Sequence, residues 1–150
     1  MTDDEIVAQA LRITESRVRE KTLSLKNHDD LLQFLRLKLG LLKYEVFVVL
    51  FLDINYKLIN HKEIFRGTLD ENTIYCREIV REVLDHNACA IILVHNHPNG
   101  TLQASPQDIN LTKKLANIMN YICVDILDHV IVTAKGTYSM YEDGTLPAPS

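Results

Sequence analysis

The stretch Ala88-Cys89-Ala90-Ile91-Ile92-Leu93-Val94-His95-Asn96-His97-Pro98-Asn99-Gly100 decides the fold. Its first seven residues, 88–94, are continuously apolar and bounded by turn residues, the pattern of a central strand covered on both faces. The chain then changes character within six residues, placing two imidazoles before a proline and a glycine that turn it sharply. Residues two apart on an extended backbone point the same way, so His95 and His97 can face one ion. A loop follows to Ser105, and a helix is predicted from Pro106 to about Asn120. Asp108, in its first turn, arrives as a third ligand. Two neutral imidazoles and one carboxylate leave the fourth position of a tetrahedral zinc open, the arrangement of a catalytic rather than a structural ion. Ser105-Pro106-Gln107-Asp108 reads equally well as an ordinary helix start, with Ser at N-cap, Pro at N1 and an acid at N3.

Upstream, Glu45-Val-Phe-Val-Val-Leu-Phe-Leu-Asp53 is dense in β-branched and aromatic residues and predicts a buried strand. Asp53-Ile-Asn-Tyr-Lys57 turns into a second strand ending near Phe65, which should pair with the first antiparallel. Between Thr73 and His86 apolar residues recur at helical spacing, with Arg and Glu on the intervening positions. Nearer the N-terminus, Thr2 and Glu5 form a capping box for a helix over 3–20, in which Ile6, Val7, Ala10, Leu11 and Val18 mark the apolar face. A second helix, begun by Asn27 or Asp29, carries Leu31, Leu32, Phe34, Leu35 and Leu39 up to a cap at Gly40. Two short strands at 122–133 and 137–141 meet at Lys135-Gly136. The fold class is therefore α/β in the broad α+β sense, a mixed β-sheet flanked by helices. It is divided into an N-terminal helical extension (1–28), the main domain (29–144) and a disordered tail (145–150).

At 150 residues the chain can bury a core without disulfides, and a hydrophobic fraction of 47% with 24% charged residues is that of a globular domain. A net charge of -4 lends no attraction to phosphate backbones and weighs against tight nucleic-acid binding. Cys76, Cys89 and Cys123 form no C-x-x-C pair and read as reduced, buried thiols. The acidic opening and the absence of a long apolar run predict a cytoplasmic protein with no membrane partner, and leave room for an oligomer. The remaining histidines are assigned to no metal: His28 and His61 by polar surroundings, His86 as a helix-end cation, His129 as a strand residue.

H-x-H-x7-S-x2-D arises by chance about once in a few thousand chains of this length. The sequence resembles the JAMM, or MPN-plus, metallopeptidases, whose motif is a distant Glu followed by that pattern. Within them it is closest to the bacterial RadC branch, through EVFVVLFLD, IFRGTLD, REIVREVLDHNACAIILVHNHPNG and ILDHVIV, over about residues 30–144. The resemblance implies a layered, cytidine-deaminase-like JAMM/MPN fold and one Zn2+ held by His95, His97 and Asp108. It further implies catalytic roles for Glu63, as the acid beside the metal, and for Ser105, as a group steadying an oxyanion. The implied activity is zinc-dependent hydrolysis of a peptide or isopeptide substrate. Lys62, Cys76, Asn99 and Gln103-Ala104 depart from the usual family residues without touching a proposed ligand. Longer RadC proteins carry an N-terminal domain like helix-hairpin-helix DNA binders, where this chain reads as one or two helices. A DNA-repair role therefore transfers poorly and stands as an alternative, beside an inactive binding module on the same fold. The letters His95-Asn96-His97 are contiguous, unlike the dispersed residues of HNH nucleases, and the P-C-x-x-C of zinc deaminases is absent.

Overall fold

A computed structural model describes residues 1–24, 28–68 and 73–150, with side chains of the third helix from Tyr75 onward. Asn27, and Leu69 and Asp70 of the IFRGTLD stretch, lie outside the described residues. The elements run α1 (Asp3–Glu20), α2 (Asp29–Leu39), β1 (Val46–Leu52), β2 (Leu58–Arg66), α3 (Thr73–Asp85), β3 (Ala90–Asn96), α4 (Pro106–Tyr121), β4 (Asp125–Thr133) and β5 (Gly136–Ser139). The strands form one mixed sheet in the order β2-β1-β3-β4-β5. β1 is antiparallel to both β2 and β3, β3 is parallel to β4 across the α4 crossover, and β4 and β5 form a hairpin.

Alternation along β1 and β3 divides the interior in two. Val46, Val48, Leu50 and Leu52 join Ala90, Ile92 and Val94 against Leu31, Phe34 and Leu35 of α2 and Val18 of α1. Phe47, Val49 and Phe51 join Ile91 and Leu93 against Ile79 and Val83 of α3 and Leu111, Leu115 and Met119 of α4. Every residue of both strands is buried, which is why they read as unbroken apolar runs. The result is the layered α/β/α arrangement expected, a helix pair on each face of the sheet.

α1 has the expected Thr2–Glu5 capping box, but Ile6 and Val7 are 51% and 46% exposed. The helix packs through its second half, by Leu11, Thr14 and Val18. α2 begins at Asp29, after a His28 that makes no side-chain cap bond.

The strands after α3 and α4 begin later than the residue pattern suggests. α3 closes with Asn87 at φ 51° and Ala88 N–H donating to Val83 C=O. α4 closes with Cys123 at φ 58° and Val124 N–H donating to Met119 C=O. These are Schellman ends built on non-glycine residues, so β3 starts at Ala90 and β4 at Asp125. Cys123 is thereby exposed, contrary to the expectation of buried thiols, while Cys76 is buried and all three cysteines are free. Residues 145–150 form no regular element, although Thr145 and Leu146 N–H groups reach Met140 C=O. Among the described residues no helix is long and apolar enough to cross a membrane.

Candidate metal centre

Topology sets the site. β3 ends at Asn96, α4 begins just above it, and antiparallel β1 starts alongside that end. β3 runs to Asn96, two residues past the expected end, so that His95 is its penultimate residue, and His97 follows with its N–H donating to Val132 C=O of β4. Their imidazoles lie on the α4 face, with ring centroids 5.1 Å apart. Asp108, fully buried in the first turn of α4, meets both: His95 Nδ1 is 2.7 Å from Oδ1 and His97 Nε2 is 3.0 Å from Oδ2. One ligand atom from each of His95, His97 and Asp108 lies within 4.8 Å of the others, a spacing that could hold a metal ion.

Ser105 is the N-cap of α4, as its place before Pro106 suggests. Its hydroxyl donates to Asp108 Oδ2 at 2.7 Å, its N–H donates to the same oxygen at 2.8 Å, and its Oγ accepts from Asp108 N–H at 3.0 Å. The box that starts the helix also orients the carboxylate shared with the histidines. In this arrangement the Ser105 proton is committed to Asp108.

The donor set fits a cation. Thr101 C=O can only accept, so the 2.9 Å contact puts a proton on His97 Nδ1. Nε2 then faces an anionic carboxylate and needs a positive charge between them, either its own proton or an ion. His95 Nε2, buried, has no hydrogen-bond partner among the described residues, an orphan that an ion's coordination sphere would satisfy. Burial pushes the Asp108 carboxyl up, but the hydrogen bonds from His95 and His97, with the nearby His129, outweigh it and hold the group far below the usual carboxylate range. Burial works against a charge on His97 as well, and again the Asp108 bond and the Thr101 carbonyl prevail, raising its pKa. Because that folded value is raised, its contribution to stability is complete below the ordinary histidine pKa of about 6.5 and is lost as pH rises through the folded value. The unfolding temperature of the metal-free chain is therefore expected to fall as pH rises above about 6.5, while affinity for a metal ion rises over the same range as proton and ion compete for His97. Flat profiles for both, by calorimetry and zinc titration, would contradict this.

Glu63 requires a correction. In the β1–β2 ladder it stands opposite Val48, whose side chain belongs to the α1/α2 core, whereas His95 stands opposite Phe47, which faces α3 and α4. Glu63 is thus on the other face of the sheet from His95, His97 and Asp108. It is exposed there, and its bond from Arg66 Nε at 2.8 Å lowers its pKa despite slight burial. The carboxylate beside the histidines is Glu45, the residue before β1, with Oε1 3.8 Å from His95 Nε2. Glu45 also lines a cleft of about 390 Å³ with His95, His97, Ser105, Asn99, Gln103 and Gln107 among its walls. The acid at the head of EVFVVLFLD was the available signal; reading it required knowing that β1 pairs with β3.

His129 also has a place that its position in a strand did not disclose. It is fully buried, and its Nε2 lies 3.8 Å from Asp108 Oδ1. The Thr112 hydroxyl donates to Asp108 C=O at 2.6 Å, leaving its oxygen to accept from His129 Nδ1–H. Burial lowers the His129 pKa to about 4, keeping the imidazole neutral behind the carboxylate. His28, expected in polar surroundings, is buried against β4 instead.

Comparison with known proteins agrees with this geometry. A family model described as RadC-like JAB domain matches residues 25–145. The chain is 43% identical over 141 residues to a UPF0758 protein of Variovorax paradoxus (strain S110), and 42% identical over 142 residues to one of Janthinobacterium sp. (strain Marseille). These alignments cover 94% and 95% of this chain but 62% and 63% of those relatives. A UPF0758 protein of Vibrio cholerae serotype O1 is 38% identical over 145 residues, with 96% of this chain and 90% of the relative covered. With its His-His-Asp group at the end of β3 and this breadth of similarity, the chain belongs to the RadC-like JAB domain family.

Proposed function

We propose that the chain is a zinc-dependent hydrolase of amide bonds, acting on a peptide or isopeptide. The observation that carries this reading is Glu45, a carboxylate open to the cleft and 3.8 Å from a buried nitrogen of His95 that has no hydrogen-bond partner among the described residues. Two imidazoles and a carboxylate match the ligand set of catalytic zinc, which leaves a coordination position free. Bound there, zinc supplies Lewis acidity, polarising a carbonyl and acidifying water. Glu45 takes the proton of the attacking water and returns it to the departing amine, the work of a general base that becomes a general acid. Ser105 holds Asp108 in place through its hydroxyl and its N–H. The neutral amides of Asn99, Gln103 and Gln107 offer donors and acceptors to an extended substrate backbone.

Protein purified without added metal and then titrated with zinc is expected to bind about one ion per chain, the stoichiometry of a three-ligand site. It should cleave members of a peptide or isopeptide library in a chelator-sensitive way. Chelation is expected to leave a cooperative thermal transition, because the two hydrophobic clusters are built without the site residues. Zinc bound at one equivalent with no cleavage of any amide library would replace the hydrolase by a metal-binding module on the same fold.

A further inference from the structure

Asn96 lies between the two histidines, yet its side chain points away from them, onto the α2 face of the sheet, and is 1% exposed. The β1–β3 backbone ladder ends at the Phe47–His95 pair. Where the next rung would fall, the Asn96 side-chain amide replaces it: Oδ1 accepts from Val46 N–H at 2.7 Å, and Nδ2 donates to Tyr44 C=O at 2.9 Å. Those two groups flank Glu45 on either side. Glu45 C=O is itself held from the β2 side by Gly67 N–H at 2.8 Å. The backbone of the acid is therefore held on one edge by a side chain from the strand that carries His95, and on the other by the end of β2.

We infer that Asn96 is a positioning residue that sets Glu45 against His95 by clamping the peptide groups on both sides of it. Side-chain hydrogen bonds do here what a strand ladder would do, with one difference. A further rung would continue β1 beyond Val46, whereas the amide terminates pairing at that point and leaves residue 45 free to direct its carboxylate into the cleft. Ala at 96 leaves the buried Val46 N–H and the part-buried Tyr44 C=O without the Asn96 amide, so the segment before β1 gains freedom. Asp keeps an acceptor for Val46 N–H but sets an anion against Tyr44 C=O.

The catalytic consequence rests on the proposed hydrolysis, so the test has two arms. In the first, amide hydrogen exchange is followed by NMR on the full chain without reference to activity. Asn96→Ala is expected to lower protection of Val46 N–H at least ~10-fold while Leu50 and Leu93, in the strand centres, keep theirs. Unchanged Val46 protection, or equal loss at all three amides, overturns the clamp. In the second, zinc-loaded Asn96→Ala is expected to keep its stoichiometry and KM but lose about 10–100-fold in kcat, the usual cost of removing an orienting partner. Asn96→Asp should retain part of what Ala loses. Placed in a Glu45→Gln background, Asn96→Ala should cost nothing more, because both changes act through one carboxylate. Additive losses in that cycle would mean that Asn96 does not act through Glu45. If the unaltered chain hydrolyses no amide, the hydrolytic reading fails while the exchange arm still decides the clamp.

Discussion

Glu45→Gln is expected to leave zinc bound and to slow amide hydrolysis by about 10²–10⁴-fold, the range contributed by a positioned general base. The substitution keeps the size and hydrogen-bonding capacity of the side chain and removes its ability to accept a proton. Since Glu45 lies 3.8 Å from His95 Nε2 rather than within the His-His-Asp group, zinc content and KM should change little. Glu63→Gln is the matched control. Its carboxylate is exposed on the opposite face, bonded to Arg66, so the variant should retain wild-type kcat. Steady-state kinetics on a substrate from the library, with zinc measured in the same samples, reads both. Wild-type turnover in Glu45→Gln, or a thousandfold loss in Glu63→Gln, would reverse the assignment made from the sheet geometry.

Asp108→Ala should be the more damaging change, because one side chain serves three structures at once. It is a candidate metal ligand, the N3 member of the α4 capping box, and the acceptor for His95 and His97. Alanine leaves the Ser105 cap on the backbone N–H of residue 108 in place but removes the acceptor of the Ser105 hydroxyl and N–H, and each buried polar group left unpaired costs about 1–3 kcal/mol. A destabilisation of several kcal/mol is expected, together with loss of zinc binding. Asp108→Asn separates the two effects: it keeps the volume and an acceptor for Ser105, so stability should recover in part while zinc affinity remains low. Denaturant midpoints and zinc titration of both variants would show this. Asp108→Asn binding zinc as the wild type does would remove Asp108 from the ligand set.

What could be read from residues alone divides along physical lines. Buried strands and amphipathic helices are continuous patterns, so β1, α2, α3 and α4 were legible to within a residue or two. The ends at Asn87 and Cys123 were not, because the left-handed position that closes a helix is usually marked by glycine, and neither helix has one there. The grouping of His95, His97 and Asp108 was legible because it is local: two residues on one strand and one in the first turn of the next helix. Glu45 and His129 reach the site through β1–β3 and β3–β4 pairing, which residue spacing does not encode. Glu63 was misplaced for the same reason. A strand residue's face follows from its parity once its partner is known, and Glu63 pairs with Val48 rather than with a residue of the histidine face.

This division of the site between near and distant residues bears on the order in which the chain acquires its properties during folding. His95 and Asp108 are 13 positions apart, whereas Val46, next to the acid, and Asn96 are 50 apart. Closing the longer loop costs roughly 1 kcal/mol more in chain entropy, about two doublings of length. It must also await a long-range strand pairing, which is slow relative to helix formation. A chain in which β3 and α4 have docked but β1 has not would already bring His95, His97 and Asp108 together while the proposed proton acceptor, Glu45, was still adrift. In refolding followed by stopped flow, zinc uptake should therefore precede the return of hydrolysis, and the interval between them measures how long β1 takes to find β3.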